Sequence, residues 1–269
     1  GLFTRLLPEE AAAVINIDDA YGQKLYGMAQ DRGCPVMATG YSPDADLRIL
    51  AQRFDATGQE VRFAWLDEPR QVRLNLVGGF QAANVAVAAG LAMAAGADPE
   101  DVFAVLPRLT TVRGRMQLVA TRQNGAAVYV DYAHTPDAVA TALRALRPHV
   151  MGRIIVVMGA GGDRDTSKRP LMGAAAAENA DLVIVTDDNP RSEDPALIRA
   201  AVMLGCPEAT EVGDRAEAIL RGVDALLPGD ALLIAGKGHE TGQEIAGQKY
   251  PFDDAEQASV AVAALDGMI

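Results

Sequence analysis

Arg164 and Arg191 stand in two charge-dense loops, GAGGDRDTSKR and DDNPRSEDP, each following a short apolar run. Paired guanidinium forks suit a carboxylate or a phosphate, because each presents parallel N–H donors that a single ammonium lacks. Two further loops carry the same mixture of glycine and ionisable side chains. VDYAHTPDA holds Asp131 and His134, and AGKGHETGQE holds Gly236, Lys237 and Glu240. Each loop alone has a bland reading: an Asx turn with a capping histidine, a plain strand-to-helix turn, a turn opened by Asn189-Pro190, or a glycine exit from a strand. Four such loops following successive apolar runs point instead to one polar, ligand-facing rim.

The elements that must carry these loops are readable from period and punctuation. Ile154–Met158 and Leu182–Thr186 are short, wholly apolar runs of the kind that form buried parallel strands. Between them Pro170–Ala180 predicts a helix with proline in its first turn. The same alternation extends on both sides. Helix 136–146 precedes this unit, and helix 195–204, strand 209–212, helix 215–227, strand 231–235 and helix 253–265 follow it. This spacing predicts a doubly wound, Rossmann-like α/β domain, in which ligands collect beyond the carboxyl ends of the strands. Asn124-Gly125 between MQLVAT and AAVYVDYA predicts a hairpin at its start.

The first part has a different texture. A strand at 12–17, a helix at 21–32 and a strand at 35–39 lead into LRILAQRF, VRFAWL and VRLNLV, which read as an antiparallel meander over 46–76. A small-residue helix at 81–95 and a short one from Asp98-Pro99 close this part. The polar stretch 107–115, with Pro and Gly, is the linker, which divides the chain into domains 1–108 and 109–269.

Composition narrows the function. The 269 residues carry a formal charge of −12, which argues against general nucleic-acid binding. There are only four lysines, and Lys168 and Lys237 both fall in glycine-flanked loops, where they read either as cations placed for an anion or as solvated loop charge. Cys34 and Cys206 lack metal-ligand or disulfide-framework spacing, which fits a reducing cytoplasm. No apolar run reaches membrane-spanning length. Gly1 leads without a cap into helix-like LFTRLL, so the chain is expected to begin partway through an element.

The motifs GRMQ (114–117), DYAHTPDA (131–138), GGDRDTSKRP (161–170), DNPRSEDP (188–195) and GKGHE (236–240) resemble the C-terminal domain of the Mur ligases, and most of all its diaminopimelate-adding members. Upstream, INIDDAYG (15–22) and GGFQAAN (78–84) resemble the later part of that family's α/β nucleotide-binding central domain. The resemblance implies an ATP-dependent amide ligase of peptidoglycan synthesis, using magnesium, with UDP-N-acetylmuramoyl-dipeptide and meso-diaminopimelate as substrates. Arg164 and Arg191 would hold the distal carboxylate of meso-diaminopimelate. Asp188, Asn189 and Pro190 would complete that loop, and Gly236 and Glu240 would meet the same amino acid, the Glu facing its ammonium. Asn84, Arg115, Asp131, His134 and Lys168 would approach ATP.

Two departures accompany the resemblance. No stretch satisfies the family's phosphate-binding GxxGK[ST], and GKGHE lacks the hydroxyl residue that such a loop offers to magnesium. The family's modified lysine belongs just before the segment matching Gly1-Leu2-Phe3. Gln81 also stands where many members carry asparagine. The expectation is therefore a C-terminal portion of a longer ligase, inactive alone. Two other readings stand beside it: a related amide ligase such as a folylpolyglutamate or cyanophycin synthetase, and a non-catalytic module that binds an amino acid or nucleotide.

Overall fold

The computed structural model describes Leu6, Pro8 and residues 11–268, so the expected truncated opening helix lies outside the described residues. The chain divides into two units, the first ending at Thr110 and the second beginning at Thr111.

The first unit holds a five-stranded sheet in chain order, β1 (Ala13–Asn16), β2 (Val36–Gly40), β3 (Leu47–Asp55), β4 (Gly58–Trp65) and β5 (Glu68–Leu74). Helix α1 (Ala20–Asp31) links β1 to its parallel neighbour β2, and Asp19 caps it by accepting from the Gly22 amide. The last three strands form the expected antiparallel meander. Its inner face alternates Leu47, Ile49, Val61, Phe63, Val72 and Leu74. Those side chains pack on α2 (Gln81–Ala94) and α3 (Pro99–Val105).

The second unit is built on six strands in the order β10-β9-β8-β11-β7-β6. They are β6 (Gln117–Thr121), β7 (Ala127–Asp131), β8 (Ile154–Met158), β9 (Leu182–Val185), β10 (Thr210–Glu211) and β11 (Ala231–Ala235). All neighbours are parallel except β6, which pairs antiparallel with β7 across the Asn124-Gly125 turn. Every residue of β8 and β11 is buried, which is why IIVVM and ALLIA read as unbroken apolar runs and not as alternation. Helices α4 (Pro136–Leu146), α5 (Lys168–Asn179) and α6 (Pro195–Met203) pack on one another. Helices α7 (Arg215–Asp224) and α8 (Asp254–Leu265) pack together over a core of Val128, Val130, Ile155, Val157, Leu232 and Ile234.

Local chemistry places most helix starts. Thr135, Asp194, Asp214 and Asp253 each cap a helix through a side-chain oxygen, and Pro136 and Pro195 occupy first-turn positions. Three details differ from the sequence expectation. Helix α5 begins at Lys168, two residues before Pro170, which still lies in its first turn, where an amide has no intrahelical partner to lose. The edge strand β10 is only two exposed residues long. A hairpin, β12 (Gly242–Ile245) with β13 (Gln248–Pro251), follows the GKGHE loop, where none was expected.

Candidate functional site

The loops after β7, β8, β9 and β11 meet at the carboxyl end of the second sheet. They enclose a pocket of about 180 Å3 lined by Tyr132, His134, Ala160, Gly161, Arg164, Lys168, Asp188, Asn189, Arg191, Gly236 and Glu240. Eight of these residues come from the sequence-derived list: His134, Arg164, Lys168, Asp188, Asn189, Arg191, Gly236 and Glu240. The chain reverses direction in the sheet here, because β11 returns between β8 and β7 after the excursion through β9 and β10. Crevices of open α/β sheets form at such reversals.

The β8 and β9 loops are packed backbone to backbone. The Gly162 amide donates to Asn189 O at 2.8 Å, and a β-carbon at 162 would stand 1.9 Å from Pro190 O. Only glycine permits that approach. Asp163 accepts from the Ser192 hydroxyl at 2.6 Å, and Glu193 accepts from buried Arg169 at 2.8 Å. These bonds hold the two guanidinium-bearing loops side by side. Arg191 has φ 52°, donates from Nη1 to Gly162 O at 2.7 Å and pairs through Nε with Glu244 at 3.3 Å. Arg164 is exposed, and among the described residues its guanidinium donates to Asp163 O at 3.2 Å. A β-carbon at Gly161 would touch both Arg191 Nη1, at 2.9 Å, and Arg164 Cγ, at 3.9 Å. Pro190 contributes its carbonyl to the loop contact and does not line the pocket.

The opposite wall is carried by β11. Gly236 has φ 121° and lies against the Asp188 carboxylate. Lys237 is fully enclosed. Its ammonium donates to Asn189 Oδ1 and to Gly242 O, both at 2.8 Å, with Glu240 Oε2 at 3.5 Å and Asp188 Oδ1 at 3.7 Å. Burial pushes this ammonium below the ordinary lysine value, and Asp188 pulls it back. The reading of Lys237 as an anion-facing cation is therefore corrected: glycine flanks let the chain turn inward, and protein oxygens take its donors. Asn189 in turn donates from Nδ2 to Glu240 Oε2 at 2.9 Å.

Lys168 opens α5 and donates to His134 O at 3.2 Å. Helix α5 has no side-chain cap, and Lys168 and Arg169 occupy its first turn, where the macrodipole disfavours cations. A local rule broken in this way fits a place kept for an anion. Arg115 and Asp131 lie off the pocket. The Arg115 guanidinium stacks 4.8 Å above the Tyr132 ring, which also touches His134 and His239. The Asp131 carboxylate accepts the Met116 amide at 2.7 Å, and burial pushes its pKa up against the pull of that bond. Asn84 belongs to the first unit, where it is exposed on α2 and bonded to Gln81 at 3.2 Å.

Beneath the rim, Arg215 and Asp254 form an ion pair with both side chains fully buried, 2.7 Å at each of two contacts. The same guanidinium donates to Ala235 O at 3.1 Å and Asp187 O at 3.3 Å, and so ties the roots of the β9 and β11 loops together. Sequence reading gave Arg215 only as the start of a helix. Tyr132 and Glu244 were likewise not singled out, although Tyr132 lies within a quoted motif.

Comparison with known proteins decides the family. The Mur ligase middle domain matches residues 1–92, and the Mur ligase glutamate ligase domain matches residues 114–238. The chain belongs to the Mur ligase family. It is 48% identical over 265 residues to the UDP-N-acetylmuramoyl-L-alanyl-D-glutamate–2,6-diaminopimelate ligase of Bradyrhizobium diazoefficiens, with 97% of this chain and 54% of that relative covered. The protein of the same name from Caulobacter vibrioides is 47% identical over 265 residues, with 98% and 54% covered. A solved structure of a ligase with that name superimposes with a TM-score of 0.72 at 36% identity, covering 95% of this chain and 53% of the other. A folylpolyglutamate synthase from Mycobacterium tuberculosis shares the fold at a TM-score of 0.67 and 19% identity, over 99% of this chain and 57% of its own. The chain spans about half the length of the curated relatives it matches. Among the described residues no helix is long and apolar enough to cross a membrane.

Proposed function

We propose that this chain forms the amino-acid-capturing part of a cytoplasmic, ATP-dependent amide ligase that adds meso-diaminopimelate to UDP-N-acetylmuramoyl-L-alanyl-D-glutamate in peptidoglycan synthesis. The observation that carries this reading is the meeting of Arg164, Arg191 and Glu240 in one pocket. A ligand with a carboxylate and an ammonium at one end of its chain matches two guanidinium forks facing a carboxylate. Both contacts to Glu240 fall on Oε2, which leaves Oε1 for the ammonium.

The reaction class is carboxylate activation followed by amine capture. The γ-carboxylate of the D-glutamyl residue takes the terminal phosphoryl group of ATP. The free amine of diaminopimelate attacks the resulting acyl phosphate, and phosphate leaves from the tetrahedral intermediate. The pocket holds the amino acid by its far end and thereby presents the near amine, which is rate enhancement by positioning. Lys168, His134, Arg115, Asp131 and Asn84 are the residues assigned to ATP. Lys168 at an uncapped helix start fits a phosphate group in charge and donor type. Asp131 accepts the backbone amide of Met116, the neighbour of Arg115, and so supports that assignment through the GRMQ backbone. Among the described residues there is no group of three His, Cys, Asp or Glu side chains placed to hold a metal, and magnesium, which the ligase reaction would use, is held mainly by phosphate oxygens and water with one or two protein oxygens.

Calorimetric titration of the chain with meso-diaminopimelate and with L-lysine tests the reading. Lysine lacks the distal carboxylate, so meso-diaminopimelate should bind roughly 10–100-fold more tightly, the worth of a charge-assisted pair. Equal affinity for the two, or binding of neither, would overturn it.

A further inference from the structure

The pocket wall contains a buried cation that faces no ligand. The four oxygens around Lys237 Nζ come from three segments: Asp188 and Asn189 after β9, Glu240 after β11, and Gly242 at the start of β12. A buried ammonium is costly unless its donors are met, and here each is met by protein. Its effect on Asn189 is specific. An amide side chain has one accepting and one donating end. Asn189 Oδ1 receives both Lys237 Nζ at 2.8 Å and the Glu244 amide at 3.0 Å, so the oxygen end is fixed by two donors. The nitrogen end must then face Glu240, and it does, at 2.9 Å from Oε2.

We infer that Lys237 is a positioning residue for the amino-acid pocket: its ammonium fixes the Asn189 amide, which in turn holds the Glu240 carboxylate ready for the ammonium of the ligand. Without the Lys237 charge, Gly242 O and Asn189 Oδ1 each lose a donor, and Asp188 and Glu240 keep only the Arg215 guanidinium, itself committed to Asp254, as a buried cation near both. Glu240 then turns outward, and the far end of the amino acid loses its acidic partner. The inference rests on the ligand proposed above, and two measurements separate them.

The first is a double-mutant cycle on meso-diaminopimelate affinity, by calorimetry on the whole chain with Lys237→Met and Glu240→Gln. Lys237→Met alone should weaken binding by about tenfold or more, and in the Glu240→Gln background by less than about twofold. Additive losses would mean a merely structural lysine and would overturn the inference. Should the Met variant fail to fold, Lys237→Gln enters the same cycle. The second measurement needs no ligand: the side-chain amide of Asn189 followed by 15N NMR. Lys237→Met should shift both of its protons and speed their exchange with water, and an unchanged amide would overturn the inference. If wild type binds no meso-diaminopimelate, the ligand assignment falls, and the amide signal alone decides the role of Lys237.

Discussion

The Asp188 carboxylate fills the space that a side chain at Gly236 would need: a β-carbon there would stand 2.3 Å from Oδ2. The backbone at Gly236 has φ 121°, a conformation that L residues rarely adopt. Gly236→Ala should therefore strain the end of β11 by about 1–3 kcal/mol and push Asp188 off the wall. A fall in the melting temperature accompanied by at least tenfold weaker diaminopimelate binding is expected. A variant that melts lower and binds normally would mean that the Asp188–Gly236 contact serves the fold alone.

Arg191 lines the pocket and has two internal partners, Gly162 O and Glu244. Lysine cannot reproduce this geometry, because it has one nitrogen where arginine has three. Arg191→Lys and Arg191→Ala should both lose meso-diaminopimelate by about 10–100-fold, the charged variant recovering little. In a full-length ligase carrying the same change, ATP affinity should hold. Equal loss of both ligands would remove Arg191 from amino-acid recognition.

The Arg215–Asp254 pair makes the opposite kind of prediction. Breaking it as Arg215→Met leaves a fully buried carboxylate without a partner, at a cost of about 3–5 kcal/mol. The double variant Arg215→Met, Asp254→Leu should recover much of that loss, since an apolar pair of similar volume needs no charge compensation. Urea unfolding of the wild type and the two variants reads the difference directly.

Asp230 gives a pH test. Burial opposes its charge, but Arg153, together with the amides of Arg153 and Leu227, holds its pKa below the ordinary aspartate value. A carboxyl group with a depressed folded pKa contributes stability that is present above the unfolded value, about 3.9, and is lost as pH falls through the lower folded value. Wild type should thus lose stability on acidification below about pH 4 more steeply than Asp230→Asn. Parallel urea midpoints from pH 6 to pH 2.5 would refute the assignment.

What could be read from the sequence depended on whether the signal was local. The runs IIVVM and ALLIA and the Asn124-Gly125 turn each specify their element within a few residues, and each element formed there. The β12–β13 hairpin carries no such mark. Its turn is Ala246-Gly247, with φ 50° and 75°, and alanine is an uncommon choice for a left-handed turn position. Gathering the pocket loops was legible because parallel α/β topology sends every strand's carboxyl end to one side. The inward turn of Lys237 was not, since its partners at Asn189 and Gly242 are set by the register of three loops. Arg215 was hidden for the same reason, its partner Asp254 lying in a different helix.

The hairpin has one further consequence. Its first strand meets the loop after β9 main chain to main chain: the Arg191 amide donates to Glu244 O at 3.0 Å, and the Ala246 amide returns a bond to Arg191 O at 2.7 Å. The two segments are thus stitched into a single cassette, though about fifty positions separate them in sequence. Grafting DNPR alone into a ligase of different amino-acid preference would import the arginine without its splint. Re-engineering the acceptor would require exchanging both pieces at once.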